Sequence, residues 1–255
     1  MKTTEESVVI AMDGLDTAIF PFIPYILQDF EEIGTSLEEV ITLLQRNTEL
    51  DSEFNILDLG CGKGGVSIRL SQRFKCHCLG LDAIKEFIAE ANEKVNKLGI
   101  NSLCEFKVAD IREEIKSLGK YDVIILGAIG QVYGNYYETI STLLPHLKHN
   151  GVIIINDAYI ETPSDVPHPS VLNKEEMLKQ IEQSNMKIVD EIRADEETYE
   201  DNNEDLQLLT NRCNELIAKY PEKSSLFNEY IDNQSKEYSS FETNIICSIM
   251  ILKRK

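Results

Sequence analysis

Short apolar runs alternate with longer amphipathic segments through the middle of the chain. The apolar runs predict five strands, at 54–59, 76–81, 103–108, 121–126 and 151–156. Apolar residues recur at helical spacing in 84–98 and in YYETISTLLPHLKHNG, residues 136–151. Strands that alternate with helices predict a parallel sheet covered on both faces, with ligands at the carboxyl ends of the strands.

Glycines mark the expected ends of these two helices. Gly99 follows the first, in the position where a residue in the left-handed conformation commonly ends a helix. His149, Asn150 and Gly151 are expected to end the second helix just before the next apolar run.

The flanking segments predict mostly helix. In TSLEEVITLLQRN, Thr35 or Ser36 is the expected N-cap. After the fifth strand, ETPSDVPHPS (161–170) predicts an irregular connection, MKIVDEI predicts a strand, and NIICSIMILKRK predicts the last strand. We therefore expect a single domain over residues 1–255, divided as follows: an N-terminal helical cap (1–50), a ligand-binding core (51–160), and a C-terminal part (161–255) with a helical insertion (196–240).

Charge narrows the range of partners. The chain has 44 acidic and 25 basic residues, a formal net charge of -19, which opposes binding to nucleic acid or anionic lipid. A neutral or cationic small molecule fits better, although acidity that serves only solubility gives the same composition. No pattern indicates an oligomeric state.

The cysteines and the apolar runs indicate the compartment. The six cysteines show neither a metal-binding nor a disulfide framework, so reduced thiols are expected. The longest apolar runs, near 123–129, are too short to span a bilayer. We expect a soluble, cytoplasmic protein without a membrane partner.

The segment FNILDLGCGKGG, residues 54–65, predicts a strand that runs into a nucleotide-binding turn. Gly60, Gly62 and Gly65 satisfy the G-x-G-x-x-G spacing of dinucleotide-binding folds. The same turn carries Asp58 ahead of the first glycine, where a carboxylate repels a pyrophosphate but accepts from loop amides or a ligand ammonium. At this point both kinds of nucleotide remain open.

Over residues 50–160 the chain resembles the class I S-adenosylmethionine-dependent methyltransferases, in the segments ILDLGCGKG, GLDA, FKVADI and YDVIILGAIG. The long insertion resembles that of bacterial small-molecule members. The resemblance implies a Rossmann-like, seven-stranded, mostly parallel sheet with an antiparallel last strand, and S-adenosylmethionine as cofactor. It places Asp82 against the ribose, Asp110 and the Ile111 amide against the adenine, and Gly127 beside the methionine part. The implied cofactor-binding residues are Asp58, Gly60, Cys61, Gly62, Gly64, Asp82, Ala83, Asp110, Ile111 and Gly127. Lys63 either meets the cofactor carboxylate or faces solvent.

Methyl transfer from a sulfonium depends mainly on position and on exclusion of water, so a dedicated catalytic residue is not required. If a base assists, the candidates at the ends of strands four and five are Tyr133, Asp157 and Tyr159. Substrate walls are expected from the added helical segments, although aromatics at helical spacing also pack as core. These aromatics are Phe20, Phe22, Tyr25, Phe30, Tyr199 and Tyr230.

Three functions follow. The first is methyl transfer from S-adenosylmethionine to a small-molecule acceptor by in-line displacement. The second is an NAD(P)-dependent oxidoreductase. The third is a protein that binds S-adenosylmethionine without transferring its methyl group.

Overall fold

A computed structural model describes residues 2–161, 171–194, 196–240 and 245–255. Residues 162–170, which make up all of the predicted connection 161–170 except its first residue, lie outside the described part of the chain. The chain divides into two compact units. The sheet unit comprises Glu32–Asp157, Lys174–Ile192 and Ser248–Lys255, and the helical unit comprises Met1–Glu31, Ala158–Asn173 and Arg193–Cys247.

The described strands form one seven-stranded sheet in the order β3-β2-β1-β4-β5-β7-β6. The strands are β1 (Asn55–Leu59), β2 (His77–Asp82), β3 (Cys104–Val108), β4 (Tyr121–Gly127), β5 (Leu147–Ile160), β6 (Met186–Arg193) and β7 (Ile245–Arg254). Strands β3, β2, β1, β4 and β5 pair in parallel, and the β5-β7-β6 end is antiparallel. The predicted fold class is confirmed.

Ten α-helices lie in the described part of the chain. They are α1 (Thr4–Ala11), α2 (Ile23–Ile26), α3 (Leu37–Asn47), α4 (Gly65–Phe74), α5 (Lys85–Leu98), α6 (Ile111–Glu114), α7 (Tyr136–Leu143), α8 (Lys174–Gln183), α9 (Glu196–Lys219) and α10 (Ser224–Ser240). Helices α9 and α10 form the insertion expected before the last strand. Gly99 ends α5 in the left-handed conformation, at φ 67°, as expected.

The predicted end of the second helix is wrong. Helix α7 ends at Leu143, a 3-10 turn follows through His146, and β5 begins at Leu147. Pro145 lacks the N–H that a continuing helix needs, and Leu147 pairs instead with Tyr121 of β4. Gly151 is therefore a strand residue. A Cβ there would lie 2.9 Å from the Asp122 carbonyl oxygen, so the close approach of β4 explains the glycine.

The core of the sheet unit consists of strands that are buried on both faces. Ile56, Val123, Val152 and Ile154 have no exposed surface, and α3 contributes four buried side chains to the same core. Each such burial stabilises the fold by about 1.5–3 kcal/mol. This core supports the carboxyl ends of β1, β2, β4 and β5.

Three of the aromatics expected to line a substrate space, Phe22, Phe30 and Tyr230, pack within the helical unit itself. The Phe22 ring meets Phe227 and Tyr220 edge to face, with centroid distances of 5.0 and 5.6 Å. Phe30 and Tyr230 are also buried. The Tyr199 side chain lies outside the described residues, so a substrate wall in this unit stays a prediction.

Candidate active site

The glycine turn connects β1 to α4. Gly60, Gly62 and Gly64 all have positive φ, at 75°, 51° and 76°, a conformation that L side chains rarely adopt. A Cβ at Gly64 would lie 2.6 Å from Phe106 Cζ, and one at Gly60 would lie 2.3 Å from Ile129 Cγ2. Glycine at these positions therefore lets the turn adopt left-handed backbone conformations and pack closely against Phe106 and Ile129.

Asp82 ends β2 and holds this turn in place. Its Oδ2 accepts from the Gly62 amide at 2.9 Å, and its Oδ1 accepts from the Ile84 amide at 2.8 Å. Burial raises the pKa of Asp82, and this effect outweighs the hydrogen bonds from the amides of Ile84, Gly62 and Ala83, which lower the pKa. The predicted ribose-binding acid is thus also the organiser of the glycine turn, a role that spacing alone did not reveal.

Cys61 contributes to the turn through its backbone. Its amide donates to the Leu81 carbonyl at 3.0 Å, and the Gly60 amide donates to the same oxygen at 2.8 Å. Burial, followed by the nearby Asp58 and Asp82 carboxylates, raises the pKa of the Cys61 thiol well above its usual range. The thiol is therefore a poor nucleophile at neutral pH.

Asp58 lies at the carboxyl end of β1, beneath the turn. It is 4% exposed, and Ser67 of α4 donates a 2.7 Å hydrogen bond to its Oδ2. Burial raises the pKa of Asp58 to about 6, although the Ser67 hydroxyl opposes the shift. Ser67 was missed by sequence reasoning because it stands between apolar residues of an amphipathic helix.

We expect the Asp58 carboxyl to make stability depend on pH. Its folded pKa of about 6 exceeds the ordinary 3.8, so the unfolded chain ionises first. With respect to this carboxyl, the free energy of unfolding is therefore highest below about pH 4 and falls as the pH rises from about 4 to about 6. At neutral pH this one carboxyl lowers the free energy of unfolding by about 2–3 kcal/mol relative to its value below about pH 4. Asp58→Asn keeps an acceptor for Ser67 and removes this loss.

Urea denaturation of wild type and Asp58→Asn at pH 4.5 and 7.5 measures this effect. The variant should gain stability relative to wild type as the pH rises. Equal pH dependence in the two proteins would show that Asp58 does not titrate in this range.

Lys63 does not face solvent, which corrects one of the two expectations for it. The residue is 3% exposed, and its Nζ lies 3.3 Å from Glu90 Oε2 and 6.0 Å from the centroid of the Phe87 ring. Both partners belong to α5. The ammonium therefore ties the glycine turn to the helix that follows β2.

Asp110 and Ile111 lie at the start of α6, beyond β3. Asp110 is the N-cap, and its carboxylate accepts from the Arg112 amide at 2.9 Å and from the Arg112 guanidinium at 2.6 Å. Tyr133 donates its hydroxyl to the Ile111 carbonyl at 2.8 Å, and burial raises the pKa of Tyr133 further above its usual range. Tyr133 therefore donates a hydrogen bond to this loop and holds its own proton, so its hydroxyl is poorly suited to act as a base.

Tyr159, a second tyrosine proposed as a base, is a core residue. It lies in the end of β5 that belongs to the helical unit and has no exposed surface. The Arg193 guanidinium lies 5.8 Å from its ring centroid. A buried phenol beside a cation is poorly placed to exchange protons with solvent.

A short segment, residues 33–35, crosses the carboxyl ends of β1 and β4. A Cβ at Gly127 would lie 2.6 Å from Thr35 Oγ1, and one at Gly62 would lie 3.5 Å from Ile33 Cδ1. Asn156 donates its side-chain amide to the Gly34 carbonyl at 2.6 Å and to Thr35 Oγ1 at 3.1 Å. Thr35 therefore covers Gly127. Ser36 occupies the N-cap position of α3, but its side chain makes no capping hydrogen bond.

Asp157, the third candidate base, pairs with a residue that the sequence did not single out. Tyr136 donates its hydroxyl to Asp157 Oδ2 at 2.8 Å. The two side chains line a cavity of about 20 Å³ between the carboxyl ends of β4 and β5 and the start of α7. Leu126, Ile129 and Ile155 form its apolar wall. Tyr133, Tyr136 and Tyr137 all follow β4 closely, and the sequence carries no signal that shows which of them meets Asp157.

No set of three or more His, Cys, Asp and Glu side chains among the described residues is arranged to hold a metal ion. None of the described helices is both long and apolar enough to cross a membrane.

Solved structures share this fold. A structure titled as a SAM-dependent methyltransferase from Geobacter sulfurreducens in complex with S-adenosyl-L-homocysteine superposes with a TM-score of 0.75 at 19% identity, covering 92% of this chain and 98% of that one. At this identity the likeness establishes the fold.

Curated relatives match the core. The malonyl-(acyl-carrier protein) O-methyltransferase of Bacillus anthracis is 32% identical over 124 residues, which are 48% of this chain and 44% of that protein. The ribosomal protein L11 methyltransferase of Thermosipho melanesiensis is 30% identical over 124 residues, 49% of this chain and 45% of that protein. The chain thus spans about half the length of the curated relatives it matches, and their names give different acceptors.

The family model described as a methyltransferase domain matches residues 50–241, about three quarters of the chain. This stretch includes the glycine turn, Asp82, the start of α6 and the carboxyl ends of β4 and β5. The chain belongs to the methyltransferase domain family.

Proposed function

We propose that this methyltransferase moves the methyl group of S-adenosylmethionine to a small-molecule acceptor by in-line displacement. The observation that carries the proposal is the glycine turn after β1, in which three glycines adopt left-handed conformations and the Asp82 carboxylate accepts from the Gly62 amide. At Gly62 the atom nearest to an added Cβ would be Ile33 Cδ1, at 3.5 Å, so the space over this glycine admits a ligand that approaches the backbone.

The polar groups at the ends of β1 and β2 and at the start of α6 suit the amino acid, ribose and adenine parts of this cofactor. Two carboxylates, those of Asp58 and Asp82, lie at the ends of β1 and β2, where an ammonium and a diol are expected. Asp110 and Ile111 offer a carboxylate and a backbone amide near the expected adenine. When bound, the cofactor supplies an electrophilic methyl group on a sulfonium. The residues of this chain would bind it, orient it and exclude water.

The dinucleotide alternative is less well supported. The three glycines with positive φ are Gly60, Gly62 and Gly64, whereas Gly65, which completes the dinucleotide spacing, is the first residue of α4. The buried Asp58 carboxyl also stands below the turn, where a pyrophosphate would meet negative charge whenever that group is ionised.

A small acceptor is favoured over nucleic acid by the net charge of -19, because phosphate backbones require clusters of Lys and Arg. The cavity beside Asp157 is of a size that suits one small polar group. A cytoplasmic location and the absence of a membrane partner stay predictions.

Isothermal titration with S-adenosylmethionine, S-adenosylhomocysteine and NAD tests the cofactor. Binding of the first two and not of NAD supports the proposal, and binding of NAD alone contradicts it. Transfer of a labelled methyl group from S-adenosylmethionine to any acceptor of a broad panel then separates an enzyme from a protein that only binds the cofactor.

A further inference from the structure

The cavity beside Asp157 combines an apolar wall with converging polar groups. Leu126, Ile129 and Ile155 supply the wall, and Tyr136, Asn156 and Asp157 supply the polar atoms. Open α/β sheets bind ligands at the carboxyl ends of their strands, and a volume of about 20 Å³ admits a group about the size of one water, such as a hydroxyl or an amine. Of the described residues that line this cavity, Tyr136 and Asp157 are the ones that titrate.

Strand register positions Asp157 with respect to the predicted methyl end of the cofactor. Gly127 of β4 pairs with Asn156 of β5, and Asp157 follows directly. The resemblance of the chain to its family puts Gly127 beside the methionine part of the cofactor. Asp157 therefore stands one residue past the level of Gly127.

Tyr136 is held rigidly as the partner of Asp157. It is 7% exposed and occupies the first position of α7, where Asn135 and Glu138 form a capping box. Its backbone amide donates to Gln180 Oε1 at 3.1 Å. A hydroxyl fixed in this way favours the ionised form of the carboxylate to which it donates.

Resting on the proposed function, we infer that Asp157, oriented by Tyr136, is the base that receives the proton of an acceptor whose hydroxyl or amine group enters this cavity. A lone pair of the acceptor oxygen or nitrogen forms the bond to the methyl carbon. The carbon–sulfur bond breaks, its electron pair goes to sulfur, and the acceptor proton passes to the Asp157 carboxylate and then to water. A carboxylate acceptor is disfavoured because it carries no proton to remove and is repelled by Asp157.

The first test is a methyl-transfer screen with wild type, labelled S-adenosylmethionine and matched sets of small alcohols, phenols, amines and carboxylic acids. Label on hydroxyls or amines is the expected result. Two results would overturn the inference and leave the cofactor assignment intact. One is label on carboxylic acids alone, and the other is the absence of label on every member of the panel when the protein does bind S-adenosylhomocysteine. Failure to bind the cofactor at all would instead count against the proposed function.

The second test uses Asp157→Asn, which is isosteric and keeps an acceptor for the Tyr136 hydroxyl. With the best hydroxyl or amine acceptor, kcat/KM should fall about a hundredfold. S-adenosylhomocysteine affinity should stay within twofold of wild type. The acidic limb of the kcat/KM profile against pH should disappear. An unchanged profile, or an equal loss of cofactor affinity, overturns the assignment.

The positioning role of Tyr136 has its own control on the same helix. Tyr136→Phe should move the acidic limb of the profile to higher pH, because the carboxylate loses a hydrogen bond that favours its charged form. Tyr137→Phe, at a residue that is 45% exposed, should leave the profile in place. Equal profiles for Tyr136→Phe and Tyr137→Phe would remove Tyr136 from the mechanism.

Discussion

Gly62→Val is expected to weaken the binding of S-adenosylhomocysteine at least a hundredfold. Gly62 has a φ of 51°, and its amide is held by Asp82 at 2.9 Å. A branched side chain strains this conformation by about 1–2 kcal/mol and also enters the space over the turn, where the cofactor is predicted to lie. Isothermal titration of the folded variant measures the loss.

A second glycine separates strain from steric exclusion. Gly99 has a φ of 67°, and a Cβ there would meet nothing within 4 Å. Gly99→Val should therefore lose stability to a similar extent and keep the affinity of wild type for S-adenosylhomocysteine. If Gly62→Val also retains that affinity, the cofactor does not bind at this turn.

Asp82→Ala is expected to weaken cofactor binding by about 1–3 kcal/mol, or about 5- to 160-fold, because diol hydrogen bonds are lost. The structure adds a second consequence. The Gly62 and Ile84 amides lose their buried acceptor, so the free energy of unfolding should also fall, by about 1–3 kcal/mol. Titration calorimetry and urea denaturation measure the two effects separately.

Asp122→Ala is a matched control for this substitution. Asp122 lies at the opposite end of the sheet, and its Oδ2 accepts from the Asn55 amide at 2.8 Å and from Lys148 at 2.7 Å. Its removal should lower stability and leave cofactor affinity unchanged. An Asp82→Ala protein that loses stability and binds S-adenosylhomocysteine as wild type does would assign Asp82 a purely structural role.

Much of the fold was accessible from the hydrophobic pattern. The first four strands were predicted within one or two residues of their observed bounds, because fully buried parallel strands appear as continuous apolar runs. Strand β5 was predicted too short and α7 too long. The pairing of Leu147 with Tyr121, which starts β5 early, depends on a contact between residues distant in the chain.

The site was accessible in part. Glycine spacing and strand-end acids mark Gly60, Gly62, Asp58 and Asp82 as neighbours, because the carboxyl ends of parallel strands meet at one edge. The side-chain partners were not accessible. Which hydroxyl meets Asp58 depends on how α4 packs onto the sheet, and this packing brings Ser67 into place.

Tyr133 and Tyr136 illustrate the same limit. Both follow β4 closely in the sequence, and either could serve the strand end. The structure turns Tyr133 towards the Ile111 carbonyl and Tyr136 towards Asp157. The capping box at Asn135 and Glu138 starts α7 at Tyr136, and the Tyr136–Asp157 contact then forms between residues 21 positions apart in the chain.

The sequence by itself determined the fold class and the family, because both depend on local patterns: apolar runs of strand length, helical spacing, and glycines that follow an acid. The tertiary structure decided the partner of each polar group. Asp82 holds the turn, Lys63 is buried against α5, Thr35 covers Gly127, and Asp157 is paired with Tyr136. These contacts form between elements far apart in the chain, and their geometry follows from how helices pack on the sheet.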